Sequence, residues 1–351
     1  MKWPKYTLLL LFVILYGCRD AFDFDYPEVL APAVVIDGYV TNSGKAHMVQ
    51  VSYSTTINNR GLVETEFVTD ADVRIVDDQG GFTVLNHRQS GRYFTAPQYA
   101  VREGVNYQLV VTLSNGEVYE SAIKTLPAPS PAVADLSFKG DTQDVLTNNM
   151  VLPQEGALIE ATIQKDGNRH FYQWIIGQHF VIQSDAAPDE LKYCYIRDFD
   201  EPQVVLLQDN PAQSGITEYT YPIEFIPRSA KMKVDFGVEG VLLTLTEEDF
   251  QFWDAVRQQA ENSGSLFDAA PHSIEGNISG RNGQRALGYF GVYRESLDRV
   301  FFTEGELGFT PGTYPPCTIP PMAERPHPCE DCRLYEFQEN FGLFAPDWWR
   351  N

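Results

Sequence analysis

Seven short β-rich runs crowd the stretch between residues 33 and 127, at 33–40, 46–54, 71–77, 82–86, 91–95, 106–113 and 118–125. Turn-forming stretches separate them: Thr41-Asn42-Ser43-Gly44-Lys45, Asp77-Asp78-Gln79-Gly80-Gly81, Arg102-Glu103-Gly104 and Ser114-Asn115-Gly116-Glu117. Gly, Asn and Asp supply the backbone conformations that reverse a strand. A chain reversed this often has little room for helices, so it buries its apolar surface by layering strands. The spacing predicts an immunoglobulin-like β-sandwich over 33–127. Tyr107, Leu109 and Val111 alternate with Gln108 and Val110, which predicts a sheet with one buried face.

Leu126-Pro127-Ala128-Pro129-Ser130-Pro131 cannot join a ladder of strands and is read as a domain boundary. The second part, 128–351, is expected to be a β-rich α+β domain with one clear helix, so that the fold as a whole is mainly β. Runs at 157–164, 170–183, 232–236 and 241–246 read as strands. Thr246 is a good helix N-cap, Glu247, Glu248 and Asp249 place negative charge in the first turn, and Gly264 follows the end near Asn262. Phe250, Trp253, Val256 and Ala260 fall on one face, a spacing that suits core packing better than a ligand box. Strands are expected again at 273–280, 286–293 and 299–302. Beyond them lies a Pro-rich segment with Pro311, Pro315, Pro316, Pro320, Pro321, Pro326 and Pro328.

The amino terminus carries a different signal. Lys2 and Lys5 precede an apolar run over 6–16, too short to span a bilayer, and Leu15-Tyr16-Gly17-Cys18 follows the pattern at which lipoprotein leaders are cut, Tyr16 apart. Residues 1–17 are therefore read as a signal peptide and Cys18 as the lipidated residue that holds the mature chain to a membrane. Residues 18–32 form an acidic tether in which Asp20, Asp23, Asp25 and Glu28 alternate with Phe22, Phe24 and Tyr26.

Lys and Arg number 26 against 48 Asp and Glu, and loss of Lys2 and Lys5 with the leader takes the formal charge from −22 to −24. Such a surface repels nucleic acid. With Cys18 acylated, Cys194, Cys317, Cys329 and Cys332 remain, an even number in an exported chain and hence disulfide candidates. Four cysteines allow three pairings. Cys194 is expected to pair with one of the other three, tying the middle of the chain to its end. A zinc site on His327, Cys329, Cys332 and Cys317 is the weaker alternative, since export favours oxidation.

Motifs that carry chemistry are scarce. The sequence holds no Gly-x-Ser-x-Gly, His-Glu-x-x-His, phosphate-binding loop or dinucleotide fingerprint. His47, His87, His170, His179, His272 and His327 are scattered. The acidic clusters Asp70-Ala71-Asp72 and Asp198-Phe199-Asp200-Glu201 lack the spacing of a calcium loop. No catalytic residue, metal ligand or cofactor is assigned. Tyr193, Tyr195, Trp348 and Trp349 are candidates for stacking on a ligand or partner, against the simpler reading that they are covered by the Pro-rich segment.

Several motifs in order carry a resemblance: Val34-Val35-Ile36-Asp37-Gly38-Tyr39-Val40-Thr41-Asn42, Phe252-Trp253 with Ser263-Gly264-Ser265-Leu266-Phe267-Asp268, and Gly276-Asn277-Ile278. Leu287-Gly288-Tyr289-Phe290, Cys329-Glu330-Asp331-Cys332-Arg333-Leu334 and the closing Pro346-Asp347-Trp348-Trp349 complete it. Together they resemble a family of Bacteroidota outer-membrane lipoproteins known as a domain of unknown function and commonly encoded beside TonB-dependent transporters. The resemblance implies a lipid-anchored protein of the cell surface, with the acidic tether as its export signal. It implies a non-enzymatic accessory or binding subunit whose partner is an outer-membrane β-barrel of the TonB-dependent kind. The alternatives are a structural subunit of an outer-membrane assembly or secretion complex, and a surface hydrolase of glycan or peptide.

Overall fold

The computed structural model describes residues 32–54, 65–147, 150–184, 192–208, 216–261, 274–310, 312, 317, 319, 327, 329–335 and 341–350. The leader, Cys18 and the tether up to residue 31 lie outside the described residues.

The first part forms β1 (Val34–Thr41), β2 (Met48–Tyr53), β3 (Asp72–Asp77), β4 (Phe82–His87), β5 (Arg92–Phe94), β6 (Asn106–Thr112), β7 (Val118–Ser121) and β8 (Lys124–Thr125). Each expected run contains a strand, and the last divides into two. After Pro127 come β9 (Leu136–Thr147), β10 (Met150–Gln164), β11 (Phe171–Gln183), β12 (Tyr193–Gln208), β13 (Glu218–Pro227) and β14 (Phe236–Leu245). Helix α1 (Glu247–Glu261) precedes β15 (Ile278–Gly280), β16 (Ala286–Leu287), β17 (Phe290–Phe302) and β18 (Phe341–Gly342). Among the described residues the protein is mainly β, with 52% of them in strands and one α-helix.

Three of these strands depart from the sequence expectation. β9 carries Lys139, Asp141 and Asp144, β12 carries the Asp198–Glu201 acids and Pro202, and β13 carries Pro222 and Pro227. Charge and proline argue against a strand when a segment is read alone. Pairing overrides them here. β13 is an edge strand bonded only to β10, and the ladder bulges where Pro222 stands opposite Glu160. β12 slips its register between Asp198 and Gln203, so the proline falls where no ladder bond is made. Residues 232–236 and 241–246, expected as two strands, are a short turn holding Met232 and then the single strand β14.

Fifteen strands join one hydrogen-bonded path, in the order β15-β7-β6-β3-β4-β5-β2-β1-β17-β14-β11-β12-β18, with β16 beside β1 and β8 beside β6. A small second sheet has the order β13-β10-β9. All described pairings are antiparallel except those of β1 with β16 and β17. β17 is the continuous member: Phe290 to Tyr293 pair with β1, and Arg294 to Phe302 pair with β14. The first part and the second thus share a single long strand.

Three apolar cores follow from this arrangement. One lies among β1–β7 and takes in Ile278, Phe290 and Val292 from late in the chain. A second fills the space between β11, β12, β14 and the small sheet, around Tyr172, Trp174, Ile159, Phe236 and Phe302. The third, Phe171, Val241, Leu243, Leu245 and Tyr293, lies under α1.

Candidate functional site

Helix α1 is set over the main sheet by its first turn. Thr246 is its N-cap: the Asp249 amide donates to Thr246 Oγ1 at 3.2 Å, and the Thr246 amide donates back to Asp249 Oδ2 at 3.2 Å. Asp249 is itself buried and meets Lys124 of β8, with Nζ 2.9 Å from Oδ1, while the Tyr289 hydroxyl donates to the same oxygen at 2.7 Å. A charge buried this deeply persists only when paired and hydrogen-bonded. The cluster fastens α1 to the first part of the chain, and nothing in the sequence spacing announces it.

From that anchor the helix leans across the sheet and leaves a cavity of about 440 Å³ beneath its second half. Asp37 and Tyr39 of β1, Tyr293 of β17, Gln173 and Ile175 of β11, and Val204 and Leu206 of β12 form the floor and walls. Trp253, Val256 and Arg257 of α1 form the roof. Pairing explains the convergence: Tyr39 stands opposite Gly291, Gln173 opposite Leu206, and Ile175 opposite Val204, so these side chains emerge on one face. The cavity is the open continuation of the third core. Its size falls within the range of small-molecule sites.

Tyr293 is the hinge between core and cavity. Trp253 Nε1 donates to its hydroxyl at 3.3 Å, and its ring lies 5.7 Å from that of Tyr39. The ring folds back over Gly291, where any Cβ would collide with it. Gly291→Ala is therefore expected to push the Tyr293 ring into the cavity and to cost about 1–3 kcal/mol as an overpacking change. Thermal denaturation and near-ultraviolet circular dichroism of the variant measure both effects.

The electrostatics of the cavity centre on Asp37. Its carboxylate is accessible from the cavity yet closely surrounded by protein, and burial pushes its pKa up to about 6, partly offset by the Gly38 amide that it accepts. Burial, then Glu295 and Asp37, push the Tyr39 phenol up, and burial with Asp249 does the same for Tyr293. Both phenols stay neutral and can donate. Arg257, at the roof, is held by Asp254 of its own helix, with Nη2 2.5 Å from Oδ1. The site is thus an apolar and aromatic chamber with one carboxylate in its floor. The sequence places Asp37 and Tyr39 in an alternating strand and Trp253 on an apolar helix face. What brings them together is the pairing of β1 with β17, which has no local signature.

The residues named from sequence are distributed otherwise. Cys194 pairs with Cys332 and Cys317 with Cys329, at Cα separations of 5.8 and 5.5 Å. The Cys-x-x-Cys is thereby split between two bridges, which leaves its thiols for neither zinc nor redox exchange. Trp348 and Trp349 are half-buried against a second polar centre. There the Glu239 carboxylate, fully buried, meets His179 Nε2 at 3.3 Å, Arg197 Nη2 at 2.6 Å and Arg299 Nε at 2.5 Å. The Arg299 guanidinium lies 4.4 Å over the Trp348 ring, Trp349 packs on Tyr195, and Trp349 Nε1 donates to Asp235 at 2.6 Å. These tryptophans themselves cover Glu239, whereas Tyr193 is exposed, and most of the Pro-rich segment expected to cover the four rings lies outside the described residues. Phe250, Trp253 and Val256 face inward as expected, while Ala260 is exposed.

Neither acidic cluster gathers into a site. Asp72 is paired by Arg74, and Asp198 lies 3.5 Å from Lys231 at the surface. The side chains of Asp200 and Glu201 lie outside the described residues. Among the described residues no three His, Cys, Asp or Glu side chains converge as metal ligands would.

Fold and cavity together define a mainly-β protein whose two parts share one sheet and frame a ligand-sized chamber under helix α1. The chain belongs to the family described as Domain of unknown function (DUF4249), whose profile matches residues 19–299. The match takes in the whole cavity and stops short of the cysteine-bearing tail. No curated protein matches the chain.

Proposed function

We propose that this protein is a surface-exposed outer-membrane lipoprotein, anchored through Cys18, that serves as a non-enzymatic binding subunit of a TonB-dependent transporter. It sits on the extracellular mouth of the barrel and helps hold cargo there. The leader pattern and acidic tether support the anchoring, and the family resemblance supports the transporter.

The observation that carries the association is the hairpin of β9 and β10. β13 pairs with β10 only from Gly156 to Gln164, so the hairpin runs on beyond it as two strands alone. Its far end bears Leu146, Met150, Val151 and Leu152 at 69%, 57%, 64% and 43% exposure. Leu146 stands opposite Val151, and Leu152 opposite Val145 on the other face, so the tip is apolar on both sides. Two-stranded ribbons are marginal in water, and large apolar side chains held clear of a strongly acidic body mark a contact surface. A hydrophobic seat on a membrane-embedded partner suits that tip.

Purification from detergent-solubilised outer membranes tests the reading. The native protein is expected to bring down a β-barrel, and Leu146→Asp/Val151→Asp to reduce that yield at least tenfold with an unchanged melting temperature. Recovery of the native protein alone overturns the proposal.

A further inference from the structure

We infer that the cavity under α1 binds an organic cation, an ammonium group carried on an apolar body, with Asp37 as its counter-charge. This goes beyond association with a transporter and holds whether or not a barrel is bound.

Shape and chemistry select the ligand. The carboxylate of Asp37 lies in the floor with no lysine or arginine described against it; Arg257 is at the roof and is engaged by Asp254. Asp37 is exposed at the cavity floor, so a cation entering the cavity reaches its carboxylate directly and, between apolar walls, is attracted to it more strongly than in open water. Burial by the surrounding protein raises the Asp37 pKa, and a cation seated beside the carboxylate would lower it again. Around it stand Tyr39, Tyr293 and Trp253, rings whose faces attract cations and whose bodies accept apolar groups. The flanking Ile175, Val204, Leu206 and Val256 offer no hydrogen bonds. A sugar would leave most of its hydroxyls unpaired in such a chamber. An anion would meet Asp37 directly. A neutral apolar molecule would fit the walls but leave the carboxylate stranded. Gln173, a buried side chain opening on the same space, adds one amide that can meet a polar substituent next to the charge.

Three soluble probes of similar size separate these cases: benzyltrimethylammonium, benzyl alcohol and phenylacetate. Titration calorimetry on the full-length protein, with Trp fluorescence as a second readout, is expected to show the cation binding at least tenfold more tightly than the alcohol, and no phenylacetate binding. Asp37→Asn, close to isosteric, is expected to weaken the cation at least tenfold and leave the alcohol unchanged. Trp253→Leu provides a second variant should Asp37→Asn fold poorly, with a several-fold loss for the cation. The inference is overturned if no probe binds up to millimolar concentration, if the alcohol or phenylacetate binds as well as the cation, or if Asp37→Asn leaves cation affinity intact. None of these outcomes depends on co-purification with a barrel, so failure here is distinguishable from failure of the proposed function.

Discussion

Replacing Cys194 and Cys332 together by alanine is expected to lower stability by about 5 kcal/mol, because their bridge closes a loop of 138 residues. The bond joins β12 to the turn at Cys332–Tyr335, and both sulfurs are buried in the second core. It also holds the segment from which β18 adds to Tyr195 and Ile196, and from which Trp348 and Trp349 fold over Glu239. Loss of the bridge thus removes a constraint on the unfolded chain and loosens the covering tail in the folded one. The companion change, Cys317→Ala/Cys329→Ala, opens a separation of 12 residues and is expected to cost about 3 kcal/mol. Urea unfolding of the two double variants, followed by tryptophan fluorescence, measures the ordering. Equal losses, or a larger one from the short bridge, would count against the structure's account of the tail.

Glu239→Gln is expected to cost about 3 kcal/mol at neutral pH and to flatten the acid side of the stability curve. Burial alone would raise the Glu239 pKa, but His179, Arg197 and Arg299 more than reverse this and hold it at about 2, against an ordinary value of 4.5. A carboxyl group depressed in the native state contributes stability that is present above its unfolded pKa and is lost as pH falls through 4.5 towards 2. His179 acts in the same direction. Burial lowers its pKa, with Arg197 and Arg299 assisting against the pull of Glu239, so acid below about 6.5 protonates it more readily in the unfolded chain than in the folded one. Between about pH 4.5 and 2 the native protein should therefore lose stability that the variant, lacking the Glu239 carboxyl, does not lose. Guanidinium titrations at several pH values give the slope, and parallel slopes for the two proteins would refute the assignment.

Much of the fold is legible in the sequence because its signals are local. The Gly- and Asn-bearing turns delimit β1 to β8, and Thr246 with Asp249 delimits α1. The strands that escape notice, β9, β12 and β13, owe their conformation to partners rather than to composition; Pro222 is tolerated only because β13 lies at an edge. The cavity escapes for a related reason. Asp37 stands in a motif that resembles the family, yet no spacing connects it to Trp253 or Gln173, which reach it through the parallel pairing of β1 with β17. The disulfides lie between: the count implies pairing, whereas the choice of Cys332 for Cys194 depends on where the tail folds back. Lys124 and Asp249 carry no warning at all, since a buried ion pair reads in sequence as two surface charges.

The pairing of β1 with β17 also sets a timetable for synthesis. Thr41 donates to Glu295, 254 positions further on, so β1, interior in the finished sheet, lacks its β17 neighbour until nearly all of the body has been made. At the usual 5–20 residues per second the wait is roughly ten seconds to a minute. Throughout it, the emerging first half exposes an unpaired strand edge, a liability for any chain that collapses early. Contacts this distant along the chain make folding slow. The strand that locks the two halves together is thus among the last to arrive, and the body can close only when its synthesis is almost complete.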